Sequence, residues 1–219
     1  MLRRTRDYIG RPDAFFREQL REAPDWWLAA AAPILCSCLL GITTTIISHR
    51  TRSAQVDLLR HLDVPAEMLP PPMLTTIGVM LGYPAWWGMA LLALLSINVL
   101  YKDAATPERL TEFTGLCFLT QLPFCIVTVA VALGYQPEPF QPPAGASRMR
   151  VLAAFVERQT ADPAVMLLRT LSYASALWLV SQLVVALRVA GQLSTWAAAV
   201  SALFLALLFA GVQLAVELL

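Results

Sequence analysis

Long apolar runs alternate with short polar stretches along this chain, and the runs fit helices crossing a bilayer, which takes about 20 apolar residues. Trp26–Ser48, WWLAAAAPILCSCLLGITTTIIS, has no charge and opens on two tryptophans suited to the interfacial aromatic belt. It is too long for a signal-peptide core and no small-residue cleavage pattern follows it, so it is expected to remain as the first transmembrane helix. Met73–Tyr101 is too long for one simple crossing and carries Gly82 and Pro84. Because the residue before a proline disfavours helical geometry, Met73–Leu81 is expected to be an interfacial or half-inserted piece and Pro84–Tyr101 the crossing. Phe113–Leu133 is the third, with Pro123 at mid-depth, where it should kink the helix and free a backbone carbonyl. Leu171–Leu187 and Thr195–Val216 are the fourth and fifth. The pattern predicts an all-α polytopic membrane protein, one domain over residues 1–219 with five transmembrane helices and amphipathic interfacial helices.

The polar stretches supply the rest. Arg11–Ala23 carries Phe15, Phe16 and Leu20 and reads as a surface helix. Ser147–Gln159 puts Val151, Leu152, Phe155 and Val156 on one face among arginines, which fits a helix lying on the membrane. Residues 136–144 hold four prolines and should be extended, locally polyproline II. Thr106-Pro107 and Asp162-Pro163 each offer a capping side chain followed by a first-turn proline. In LRVAGQLSTWAA (187–198), Arg188 suits a helix C-terminus and Gly191 can take the left-handed conformation that stops a helix. Ser194 or Thr195 can cap the next helix, with Trp196 at headgroup depth. That stretch is read as a bend.

Composition supports the membrane reading. Of the 219 residues 58% are hydrophobic and 14% charged, against about 25% charged in a typical soluble domain, and the mean hydropathy is +0.61. A formal net charge of +1 gives no basic footprint for nucleic acid. Lys102 is the sole lysine among 16 basic residues, a bias that points to a GC-rich bacterial genome. Cys36, Cys38, Cys117 and Cys125 all lie in apolar runs and lack the spacing of metal or disulfide frameworks, so packing is their expected role.

Orientation follows from loop charge. Arg3, Arg4, Arg6, Arg11, Arg17 and Arg21 precede the first helix and should lie against anionic headgroups, each contributing about 1 kcal/mol near such a surface. With Lys102, Arg109 and Arg188 that side holds nine basic residues against seven on the other, and the six before the first helix carry most weight, predicting a cytoplasmic N-terminus in a bacterial inner membrane and a C-terminus on the far side.

Candidate chemistry is sparse. The five expected crossings hold no ionisable residue in their interiors, the usual marker of pumps and relays. Gln121, Gln182 and Gln213 are the candidate polar contacts, and Gln121 with Gln182 near Pro123 could line a small polar pocket. His49 and His61, at the end of the first helix and in a loop, exclude a mid-membrane pair of haem ligands. Asp103, Glu108 and Glu112 beside Lys102 and Arg109 read as a solvated, helix-starting turn. Ala198, Ala202, Ala206 and Ala210 form a small-residue stripe for close helix packing, within the bundle or between copies. No cofactor and no catalytic residue is indicated. Two readings remain open: a non-enzymatic scaffold or accessory subunit with a protein partner or a second copy, and a small permease with its path near Gln121 and Gln182.

The segments RPDAFFREQLREAPDWW, TPERLTEFTGLCFLTQLPFCIV and SALWLVSQLVVALRVAGQLSTWAAA together resemble the Yip domain family of Ypt/Rab-interacting membrane proteins, in its compact bacterial form. The first is similar to the family's amphipathic start, the second to its third helix with a mid-helix proline, the last to its fourth helix, turn and fifth-helix start. The resemblance implies a multi-pass membrane protein with no known catalytic role. Eukaryotic relatives are tied to Rab-type GTPases and to traffic between endoplasmic reticulum and Golgi. This chain departs from them in having no long N-terminal region with an Asp-Leu-Tyr-Gly-Pro-type motif, and in Trp196 where a basic residue is common. No GTPase-binding residue is therefore carried over.

Overall fold

The computed structural model describes residues 10–100, 106–137, 139–143 and 145–218, and among them every regular element is helical. In chain order these are α1 Pro12–Gln19, α2 Trp26–His61, α3 Pro72–Leu100, α4 Pro107–Cys117, α5 Gln121–Gly134, α6 Arg148–Ala161, α7 Pro163–Ala190 and α8 Thr195–Leu218. Single 3-10 turns lie at Ala66–Met68 and Phe118–Thr120. Four stretches are long and apolar enough to cross a membrane: Ala29–His61, Ala66–Val99, Pro107–Gly134 and Pro163–Ala190. Thr195–Leu207 is a shorter apolar helix. The chain is an all-α membrane protein. Leu92, Leu177 and Leu203 are exposed on these helices, as residues facing lipid should be.

Several boundaries differ from expectation. α2 does not stop at Ser48 but runs to His61, 36 residues in all, about 54 Å at 1.5 Å per residue, longer than the hydrocarbon core. The polar tail from His49 stays helical because nothing breaks it before Asp63. There Asp63 takes φ 53° and the Val64 N–H bonds back to the Leu59 carbonyl at 2.9 Å, a Schellman stop. His61 therefore ends a helix instead of sitting in a loop, its Nδ1 2.7 Å from the Asp57 carbonyl. α3 is one helix through Gly82 and Pro84, where two pieces were expected. Proline removes one N–H and leaves the rest of the ladder intact, which apolar surroundings favour keeping.

Pro123 acts as its position demands. It lacks the N–H that would bond the Leu119 carbonyl, and the helix breaks into the Phe118–Thr120 turn between α4 and α5. The Phe118 carbonyl in that turn accepts from the Cys36 thiol at 3.5 Å. At the 191–194 bend the left-handed residue is Gln192, φ 48°, not Gly191. Gly191 is buried, and a Cβ there would lie 3.1 Å from Leu193 Cγ and 3.2 Å from the Leu187 carbonyl. Its smallness serves close packing. Ser194 Oγ caps α8 through the Ala197 N–H at 3.2 Å, and Trp196 is exposed.

The helices contribute to two compact units. The first takes the described residues within Met1–Cys36, Gly82–Pro123 and Ala174–Leu219. Its core gathers Phe16, Leu94, Leu110, Phe113, Leu116 and Leu187 with smaller neighbours. Phe16 is fully buried and its ring centroid lies 4.9 Å from that of Phe113. α1 is thus docked on protein by its apolar face instead of lying free on a membrane, because Phe16 fills a hole in the core. The α4 backbone presses on the start of α2: a Cβ on Gly115 would fall 2.2 Å from the Ala29 carbonyl oxygen.

The second unit takes Ser37–Leu81 and Phe124–Tyr173. Its core is small, with Leu58, Phe140, Val151 and Phe155 buried together. Phe140 and Phe155 meet edge to face at 5.1 Å. Of the four α6 residues expected on one face, Val151 and Phe155 are buried while Leu152 and Val156 are exposed. Positions four apart share a helix stripe, and the protein-facing stripe is narrower than the sequence suggested. α2 and α3 approach at Gly41, with Thr45 Oγ1 and Thr76 Oγ1 2.8 Å apart.

Candidate functional site

In the first unit the polar groups converge where α4 begins. Thr106 caps α4 through the Arg109 N–H, with Pro107 at the first position. One turn further, Glu112 is fully buried. Its Oε1 accepts from Gln19 Nε2 at 3.0 Å and from the Asp25 N–H at 3.1 Å. Its Oε2 takes Arg109 Nη1 at 2.7 Å. Arg109 also donates to the carbonyls of Gln19 at 3.0 Å, Leu20 at 3.2 Å and Glu22.

The two side chains thus hold the segment from α1 to α2 by both its donors and its acceptors. Glu112 is therefore not part of a solvated turn, as the sequence reading had it. The signal was present: Leu116, four residues on, and its neighbour Phe113 belong to the buried face. Lys102 and Asp103 lie outside the described residues. With both partners hydrogen-bonded, the pair is structural, and removing one would leave an uncompensated buried charge at about 3–5 kcal/mol.

α1 has a second tie. Asp13 pairs with Arg188 at the end of α7 and with Arg17 at 2.8 Å. The Arg188 hydrogen bond, with a smaller part from Arg17, holds the Asp13 carboxyl below the usual carboxylate range. Arg188 therefore has a specific partner beyond the helix end and the interface. Arg11, Arg17 and Arg21 are exposed, and Arg3, Arg4 and Arg6 lie outside the described residues.

Gln121 and Gln182 are both buried but are not brought together. Gln121 Nε2 donates to the Ser175 carbonyl of α7 at 2.8 Å, tying α5 to α7. Gln182 sits two turns further along α7, about 10 Å, and its Oε1 has no partner among the described residues. Pro123 is exposed. Ala198 and Ala202 are fully buried in the first core and Ala206 is half-buried, so the stripe packs inward as far as it is described. The side chains of Ala210 and Gln213 lie outside the described residues.

In the second unit an open cleft of about 760 Å³ is lined from α2, the end of α5, the following loop, α6 and the start of α7. Tyr135 is 8% exposed and lies beside the Asp162 carboxylate; burial first, then that charge, raises its pKa above the usual value. The Tyr135 carbonyl accepts from Arg50 Nη1. Asp162 also caps α7, its Oδ1 2.8 Å from the Ala164 N–H and 3.5 Å from that of Val165. Arg158 and Gln159 complete the polar side. The sequence reading placed no candidate residue here. Asp162 stood out only as a cap, since the cleft arises from residues far apart in sequence.

Among the described residues no group of three or more His, Cys, Asp and Glu side chains could hold a metal ion. Among known families, the Yip1 domain matches residues 7–216, nearly the whole chain. No curated protein and no solved structure matches the chain.

Proposed function

Because the chain belongs to the Yip1 domain family, we propose that it is a non-enzymatic membrane scaffold or accessory subunit of a membrane complex. Its place is a bacterial inner membrane, with the N-terminus in the cytoplasm. The observation that supports this most is the use of polar groups in the first unit. Gln121 closes on the Ser175 carbonyl, and Glu112 and Arg109 close on the α1–α2 segment. A permease needs such groups turned toward water, and a scaffold needs them to hold helices in register. The Asp13–Arg188 pair places α1 beside the α7–α8 bend, in keeping with both lying at the same face of the membrane. The exposed Arg11, Arg17 and Arg21 would face anionic headgroups there.

Affinity purification from native membranes in mild detergent tests the reading. Stoichiometric copurification of another membrane protein is expected. Recovery of the chain alone, as one uniform oligomer, would count against an accessory role.

A further inference from the structure

The cleft of the second unit has a defined depth. Thr51 stands just past the uncharged run that ends at Ser48. Tyr135 directly follows the apolar stretch Pro107–Gly134, and Asp162 directly precedes the apolar stretch Pro163–Ala190. All three line the cleft, which therefore lies where hydrocarbon gives way to headgroups. Its volume of about 760 Å³ falls in the range of small-molecule sites. Its lining passes from Val131, Ala164 and Leu167, on the apolar helices, to Gln136 and Gln159 on the polar connections. A molecule of the bilayer, apolar at one end and polar at the other, matches that gradient.

Charge narrows the class because it is already used. Among the described lining residues the charged ones are Arg158 and Asp162. Arg158 is engaged with a partner of its own. Asp162 Oδ1 accepts from the Ala164 N–H in the first turn of α7, where the helix dipole offsets a negative charge, and Asp162 lies beside Tyr135. A charged headgroup entering the cleft would shed water without meeting a counter-charge left over for it. The uncharged polar side chains of the lining are Thr51, Tyr135, Gln136 and Gln159. Thr51 Oγ1 donates to the Ile47 carbonyl at 2.9 Å, and Tyr135 is buried. Gln136 and Gln159 are exposed, and each amide offers two N–H donors and a carbonyl acceptor. Ester carbonyls can accept from such donors, and a hydroxyl can donate to such an acceptor. We propose that this cleft binds an uncharged lipid with ester carbonyls and a free hydroxyl, a diacylglycerol, drawn from the surrounding bilayer.

The test is native mass spectrometry of the full chain in mild detergent with equimolar diacylglycerol, phosphatidylethanolamine and phosphatidylglycerol of the same acyl chains. One retained diacylglycerol is expected, favoured about tenfold over either phospholipid, the difference that one or two net hydrogen bonds supply. Gln136→Leu and Gln159→Leu keep the side-chain size and remove the amide; each should lower diacylglycerol retention, and together they should abolish the preference. Gln141→Leu, at an exposed position outside the cleft lining, should leave it unchanged. Thermal unfolding of each variant at the wild-type temperature separates lost binding from lost fold. Preference for either phospholipid, equal retention of all three lipids, no retained lipid, or indifference to both cleft substitutions would overturn the proposal.

Discussion

The two units treat their polar residues in opposite ways. In the first, a buried carboxylate, an arginine and a glutamine are closed on backbone groups inside a core with many large side chains. In the second, a tyrosine, an aspartate and an arginine line an open cleft over a core of four buried residues. Polar groups buried at such cost and paired with backbone fix geometry. Groups that line an open cleft stand beside space that a ligand can enter. Family membership alone would not have separated these roles.

The sharpest contrast is between the two carboxylates. Glu112→Ala should destabilise the protein by about 3–5 kcal/mol, since Arg109 loses its counter-charge. Asp162→Ala should cost about 1 kcal/mol, mainly a lost cap. Thermal unfolding in detergent measures both, and equal losses would erase the distinction between the units. A second contrast lies in two glycines. Gly115→Ala drives a methyl into the Ala29 backbone and should cost about 1–3 kcal/mol. Gly41→Ala meets Met80 Cγ at 2.5 Å, a side chain and not backbone, so a rotamer change can relieve it and the cost should be smaller than at Gly115.

A smaller effect depends on pH. The folded-state pKa of Asp13 is lowered, so its tie to Arg188 is fully present above the ordinary aspartate value, about 3.9. The tie is lost as pH falls through the lowered value. Cleavage by an acid-stable protease between α1 and α2 should therefore rise only in that acidic window, and Asp13→Asn should remove the rise. The smallest effect belongs to the second unit's surface pair, Arg148 with Asp63 at 2.5 Å, both side chains mostly exposed. Arg148→Gln should change stability by no more than about 1 kcal/mol.

Much of the fold was legible in the pattern of apolar runs. The helical class, the caps at Thr106 and Asp162, and the distortion ahead of Pro123 follow from local chemistry, which a sequence displays directly. Helix ends were less legible. α2 passes Ser48 and α3 passes Pro84 because neighbouring turns sustain a helix through one weak position, and a weak position looks like a break when read alone. The polar regions were least legible. Glu112 and Gln19 are far apart in sequence, as are Tyr135 and Asp162, and only the packing of helices brings each pair together. Gln121, a candidate polar contact in the sequence, is buried, and its partner is a backbone carbonyl, which no residue identity announces.

The central claim is that the first unit is closed to water and serves as a frame. It is tested most directly by Gln121→Cys and Gln182→Cys, each in a background without the native cysteines, treated with a membrane-impermeant maleimide from either side. Both positions are expected to stay unlabelled until the protein is denatured. Ready labelling of both from one face of the intact membrane would reveal an aqueous path along α5 and α7, and would contradict the scaffold account in favour of a permease.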